Sequence, residues 1–268
     1  MRKTYREKKS PEYWISRWNE IPVDAPAEGD DRYPLLYANI VVHDRDGEVL
    51  ELGCGPGRLL RYYHAKGTRI VGVDNVAAVI TKLQACDPQL QVVHADGRTL
   101  PFETGRFTTA LCFGVYHSLE DDVAAAISET FRVLRPGGRL CAEFRSDSLH
   151  NRMIDYYKGR GTHATEFHKW NYRRQEARTM LRQAGFLIES EYTALNMPLL
   201  YHVPFLRHPS QRHSDEHAAR ISGYRLRGWL QTLHSIGLRL LPGLFANEYV
   251  FVCRKPGETV QDAQLLGA

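Results

Sequence analysis

The sequence has no C-x-x-C pair: its five cysteines, Cys54, Cys86, Cys112, Cys141 and Cys253, lie far apart. Structural zinc sites and redox motifs need closely spaced thiols, so these cysteines read as reduced packing residues of a cytoplasmic protein. No stretch reaches the roughly 18–20 apolar residues of a membrane span. The basic opening MRKTYREKKSPEYW is not followed by the apolar run of a secretory signal. Charge of one sign is not in excess either, since 35 Lys and Arg against 31 Asp and Glu leave a net +4. That balance is too mild to point to a nucleic-acid partner. No internal repeat or low-complexity tract is present. The 268 residues suffice for one large domain with a substantial core and a smaller subdomain.

What is present is an alternation of short apolar runs with helical patterns from 48 to 144, the mark of a parallel sheet with helices on both faces. The expected strands are EVLELG (48–53), RIVGVD (69–74), LQVVHAD (90–96), FTTALCFG (107–114) and GRLCAEF (138–144). GRLLRYYHAKG, VAAVITKLQAC and DDVAAAISETFRVL between them carry apolar residues at helical spacing, the last stopped by RPGG. Later, NYRRQEARTMLRQAGF reads as a helix ended by Gly185, FLIESEYT as a strand and NEYVFVCRK (247–255) as the last strand. The stretch between those two strands is longer than a hairpin needs and reads as an inserted cap.

Directly behind the first strand stands ELGCGPGR. The dinucleotide fingerprint G-x-G-x-x-G is met by Gly53 and Gly55 but has Arg58 in its third place, and no Lys-Ser or Lys-Thr pair follows to make a phosphate loop. The remaining pattern, Glu51, Gly53, Gly55 and Gly57, lets backbone pass close to a small ligand beside a carboxylate, which suits a sulfonium amino acid better than a pyrophosphate. A glycine turn that merely packs a helix is the competing reading. Asp74 ends the second strand, where an acid can accept ribose hydroxyls. Asp96 and Gly97 end the third, where a carboxylate and a backbone N–H can meet an adenine. Either aspartate alone reads equally as a cap or turn residue; in order behind the glycine turn, the two bracket an adenosine.

ELGCGPG, GVDN, HADGRTLPFETGRFTTALCFGVYHSL and VLRPGGRL resemble, in order, the successive motifs of class I S-adenosylmethionine-dependent methyltransferases, nearest to the group that includes the ubiquinone and menaquinone biosynthesis enzymes. The resemblance implies a three-layer Rossmann-like fold, with a mostly parallel seven-stranded sheet and an antiparallel last strand. It further implies S-adenosylmethionine as cofactor and S-adenosylhomocysteine as product. Glu51, Gly53, Gly55 and Gly57 would line the methionine part, Asp74 with Asn75 the ribose, Asp96 and Gly97 the adenine, and Phe113 and Gly114 the sulfonium. Trp14 and Trp18, four apart in PEYWISRWNEIP, are similar to the aromatic N-terminal lid of thiopurine and tellurite-resistance methyltransferases. Two tryptophans gluing a helix to the domain are the alternative.

These readings divide the chain into an N-terminal helical lid (1–45), the methyltransferase domain (46–193 and 247–256), an inserted substrate cap (194–246) and a flexible tail (257–268). The acceptor is expected among Tyr116, Glu143, Arg145, His168, Trp170 and Tyr172. His117, behind the fourth strand, is the candidate acid–base residue, although transfer to a good nucleophile can proceed by positioning alone. His202, His208, His213 and His217 lack the partners of a familiar zinc site, and no metal is expected. Trp229, Leu230, Leu233, Ile236, Leu240, Leu241, Leu244 and Phe245, near Arg225, Arg227 and Arg239, read as a core or subunit stripe or, alternatively, as a membrane-surface helix in 225–245. The expected activity is methyl transfer to O or N of a small-molecule acceptor, an anionic one included. A lipid or macromolecular acceptor, or a non-catalytic cofactor-binding module, is the alternative. Oligomeric state is left open.

Overall fold

The computed structural model describes residues 1–20, 23, 33–43, 47–159, 163–194, 199–214, 219 and 224–257. His217, the tail from 258 on, and parts of the expected lid and cap lie outside them. The chain starts with a strand, β1 (Arg2–Arg6), followed by helices α1 (Ser10–Glu20) and α2 (Leu35–Ala38). Then come β2 (Glu48–Leu52), α3 (Arg58–Ala65), β3 (Arg69–Asp74), α4 (Ala77–Cys86), β4 (Gln91–His94), β5 (Phe107–Cys112), α5 (Val123–Val133) and β6 (Leu134–Arg145). The second half holds α6 (Leu149–Gly159), β7 (Glu166–Asn171), α7 (Arg174–Gln183), β8 (Leu187–Ala194), α8 (Gly228–Leu240), α9 (Pro242–Phe245) and β9 (Glu248–Arg254).

The main sheet has seven strands in the order β4-β3-β2-β5-β6-β9-β8. Its first five strands are parallel, and β9 runs antiparallel to both β6 and β8. Both faces are covered, so strand residues alternate between two cores rather than between core and water. Leu50 and Leu52, Ala110 and Cys112, and Leu140, Ala142 and Phe144 face α5 and α7; Val49, Leu111, Cys141, Val250 and Val252 face α2, α3 and α4. This is the three-layer arrangement the motifs imply. It brings the C-terminal ends of β2, β3, β5 and β6 and the start of β9 to one edge, where an open α/β sheet binds its ligand.

Three features depart from the sequence expectations. Residues 2–6 are a strand rather than part of a helical lid, paired antiparallel with β7 as a separate two-stranded ribbon. Its partner lies far along the chain, so no local pattern announces it. Cys86 is exposed, while the other four cysteines are buried and all five are free. In the cap, Tyr201, Ala219, Leu226 and Leu230 form a small core of their own. The α8 stripe is mostly outward: Leu230 is buried, yet Trp229 is 66% and Leu240 70% exposed, with Leu233, Ile236, Leu241 and Leu244 also exposed. Among the described residues no helix is long and apolar enough to cross a membrane.

Candidate active site

The glycine turn is built by three residues in the left-handed region, Gly53, Gly55 and Gly57, at φ of +71°, +50° and +83°. That region costs an L residue roughly 1–2 kcal/mol. Gly53 and Cys54 both donate their N–H to Val73 O, at 2.7 and 2.9 Å, which folds the turn back onto β3. A Cβ at Gly53 would lie 2.2 Å from Val115 Cγ2, and one at Gly55 3.1 Å from the Trp18 ring. Gly57 differs. Its Cβ would strike Leu83 Cδ2 at 2.5 Å, so this glycine seats α3 against α4, away from the cavity that Gly53 and Gly55 line.

Glu51, two residues before the turn, is buried with Oε2 unpartnered. Burial pushes its carboxyl up to about 8, so it is largely the neutral acid at pH 7 rather than the expected carboxylate. At the β3 tip Asp74 accepts from Gly55 N–H (Oδ2) and Val76 N–H (Oδ1), both at 2.9 Å. Asn75 beside it is exposed. Asp96, past β4, is held by Arg98, whose guanidinium reaches it at 2.6 Å and keeps its carboxyl below the usual range. Gly97 lets the chain pass Leu52, where a Cβ would meet Cδ1 at 3.1 Å. Phe113 stands edge-on to Tyr33 at 5.9 Å, and Gly114 (φ +87°) has open space where a side chain would be.

Trp14 and Trp18 of α1 stack at 5.3 Å, and Trp18 lies against Gly55. Arg6 of β1 sits 3.9 Å above the Tyr13 ring and 3.3 Å from His168 Nδ1 of β7, so helix and ribbon form one wall. Together with the strand tips they line a half-open cavity of about 1740 Å³. Ligand pockets commonly span about 300–1,000 Å³. The space exceeds what one ligand of that class fills.

The inner end of this cavity is polar and buried. His117 Nδ1 lies 3.5 Å from Glu143 Oε1. Glu143 also accepts from the Tyr33 hydroxyl and is hydrogen-bonded to Glu248, the first residue of β9. Burial, then the charges of Lys169 and Arg145, holds the His117 pKa well below the usual value, so the ring is neutral. Burial likewise raises the Glu248 carboxyl. Arg145 lines the cavity but is already committed to Asp155, at 2.9 and 3.1 Å, and to Asn171 Oδ1. Arg2 reaches the same Asp155 at 2.8 Å, tying β1 to α6.

Of the residues expected to meet the acceptor, Glu143, Arg145 and His168 line the cavity and three do not. Tyr116 is fully buried on the other side of the sheet, donating to Thr130 Oγ1 at 2.9 Å. Tyr172 is buried beside it, donating to Tyr116 O. Trp170 donates to Glu120 O, lies under Lys3 and packs against the core on the α5 and α7 side of the sheet. Tyr116 and His117 both stand in the turn after β5, closed by Ser118 and Leu119 N–H on Val115 O, and this turn places His117 in the site and Tyr116 in the core. The sequence reading missed Glu248, Tyr33 and Arg6. Only Glu248 left a signal, as an acid opening an otherwise apolar strand.

The family model described as "Methyltransferase domain" matches residues 50–142, from β2 through β6. The chain carries a class I S-adenosylmethionine-dependent methyltransferase domain. A probable S-adenosylmethionine-dependent methyltransferase of Mycolicibacterium smegmatis is 30% identical over 158 residues, covering 59% of each chain. A malonyl-[acyl-carrier protein] O-methyltransferase of Erwinia billingiae is 32% identical over 40% of this chain and 43% of its own length. This chain thus spans about three fifths or less of the curated relatives it matches. A solved Methanosarcina mazei methyltransferase has the same fold, with a TM-score of 0.57, 19% identity, and 85% of this chain and all of that one covered. The matched segment of the methyltransferase domain supplies the glycine turn and the Asp74, Asp96 and Gly114 positions. Those residues fit the cofactor: a turn whose backbone favours glycine, a buried acid at Glu51 with one oxygen unpartnered, and open space at Gly114.

Proposed function

We propose that the protein transfers the methyl group of S-adenosylmethionine to an oxygen or nitrogen of a small acceptor. The observation that carries this reading is one cavity with two ends. The glycine turn, Asp74, Asp96 and Gly97 lie along one part of it and the buried His117, Glu143 and Glu248 along another. The bound cofactor supplies an electrophilic methyl on a sulfonium. Gly53 and Gly55 would admit its amino-acid part, Asp74 its ribose and Asp96 its adenine, with Arg98 yielding its hold. Trp14 and Trp18 would close over it and exclude water. His117, neutral and unprotonated on one ring nitrogen, can accept a proton from an acceptor hydroxyl or amine. Two glutamates at the inner end disfavour an anionic group there, so any negative charge on the acceptor would face Arg6 and Lys169 instead.

Calorimetry with S-adenosylhomocysteine, followed by mass spectrometry of cell extracts incubated with labelled cofactor, tests the reading. Saturable binding and a labelled small molecule are expected. No binding, or binding without any labelled product, overturns it, the latter in favour of a non-catalytic cofactor-binding module.

The outward apolar face of α8, flanked by Arg225 and Arg239, supports a second reading in which the acceptor is presented at a lipid surface. Co-sedimentation with anionic vesicles that is abolished by Leu240→Asp would support it. Absence of co-sedimentation at low salt removes it.

A further inference from the structure

We propose that His117, Glu143 and Glu248 form a binding site for a divalent first-row metal ion at the inner end of the cavity. The sheet brings the three side chains together from separate elements: the turn after β5, the end of β6 and the start of β9. One ligand atom from each lies within 4.8 Å of the other two, and all three residues are buried. Ligands bound at about 2.0–2.2 Å stand roughly 3 Å apart when adjacent and a little over 4 Å when opposite, so modest side-chain rotation closes the set.

The protein itself leaves both His117 ring nitrogens and one Glu248 oxygen unused. His117 is 1% exposed, yet neither ring nitrogen has a hydrogen-bond partner, and Glu248 Oε2 is buried without one. Structural pairing accounts for Glu143, which has Tyr33 and Glu248. It does not account for His117, whose Nδ1 at 3.5 Å from Glu143 makes no hydrogen bond. An ion between the three would engage the ring nitrogen and the free Glu248 oxygen together, where unpaired buried polar atoms are otherwise costly.

One imidazole and two carboxylates are a mixed nitrogen and oxygen set, suited to Mn²⁺, Fe²⁺ or Zn²⁺ rather than to Ca²⁺ or to a thiol-preferring ion. The expectation of no metal rested on the histidines of the cap; this set spans the chain from 117 to 248 and has no spacing motif. With its open side toward the cavity, the ion would bind an acceptor oxygen and favour loss of its proton to solvent, His117 then serving as a ligand in place of proton acceptor. The O–C bond then forms as the S–C bond breaks with its electron pair on sulfur. That role rests on the methyl-transfer reading; the binding of the ion does not.

The test uses full-length, chelator-treated protein titrated with MnCl₂ by calorimetry and electron paramagnetic resonance. One ion per chain is expected, with nitrogen coupling from one imidazole, and at least about tenfold weaker binding in Glu248→Gln and in His117→Gln. Circular dichroism and thermal melts show that every variant is folded, and S-adenosylhomocysteine binding is measured alongside. No saturable Mn²⁺ binding, no imidazole coupling in the wild type, or unchanged affinity in folded variants overturns the proposal. Ion binding without S-adenosylhomocysteine binding would instead sink the methyl-transfer reading and leave the metal site standing.

Discussion

The backbone N–H of Gly55 donates to Asp74 Oδ2 at 2.9 Å, so the glycine turn and the β3 tip are one hydrogen-bonded unit before any ligand arrives. The other oxygen of Asp74 holds Val76 N–H. Asp74→Ala strands both donors in a buried place. The expected outcome is a loss of about 2–4 kcal/mol in stability together with weaker cofactor binding. Urea unfolding and calorimetry on the same variant check it. Loss of binding with unchanged stability would mean that Asp74 serves the ribose alone.

Gly57→Ala and Gly114→Ala separate backbone strain from collision. Both glycines have positive φ, but only at Gly57 does an added Cβ strike a neighbour, Leu83 at 2.5 Å. Gly114→Ala should cost about 1–2 kcal/mol from strain alone. Gly57→Ala should cost about 1–3 kcal/mol more as the α3–α4 contact is pushed apart. Thermal unfolding ranks the two. Folded Gly57→Ala should keep its cofactor affinity, since that residue is off the cavity wall.

Glu51 gives a stability that declines with pH. Its folded pKa of about 8 stands above the ordinary 4.5, so the folded state holds a proton that the unfolded state has lost between those values. Stability is full below about pH 4.5 and falls by a few kcal/mol as pH rises to about 8. Glu51→Gln, which cannot ionise, should flatten this slope. Guanidinium midpoints at pH 5, 7 and 9 compare the two proteins, and parallel slopes would refute the assignment.

His150 works in the opposite direction. Its buried Nε2 accepts from Asn247 Nδ2 at 2.9 Å, and burial lowers its pKa to about 4. The unfolded ring binds a proton below about 6.5 that the folded ring refuses until about 4. The stability due to this group is therefore complete above pH 6.5 and is lost as pH falls toward 4, by about 3 kcal/mol. His150→Gln, which offers an acceptor but no titration, should lose less between pH 7 and 4.5 in thermal melts.

The parts that could be read in the sequence are those whose signal is local. Glu51 to Gly57 is one strand end with its turn, Asp74 ends β3 and Asp96 lies just past β4, so the placement of these residues at one sheet edge was legible from spacing. The turn that follows β5 obeys no strand alternation, which is why Tyr116, buried against Thr130, looked equivalent to His117. Tyr172 and Trp170 went the same way, since β7 pairs with β1 and their facing depends on that pairing. Glu248 and Tyr33 reach the site only through tertiary structure: β9 inserts between β6 and β8, and Tyr33 crosses to Glu143. No periodicity in a single stretch encodes such meetings.

The place of β9 in the sheet also matters to a ribosome-bound chain. It pairs with β6 on one side and β8 on the other, and both are synthesised first. Until β9 emerges, a nascent protein that has reached the cap carries two facing strand edges with nothing between them. Unpaired edges are templates for association with other chains. The long cap between β8 and β9 sets how long that gap stays open, which makes the interval of its synthesis the time when a chaperone would matter most.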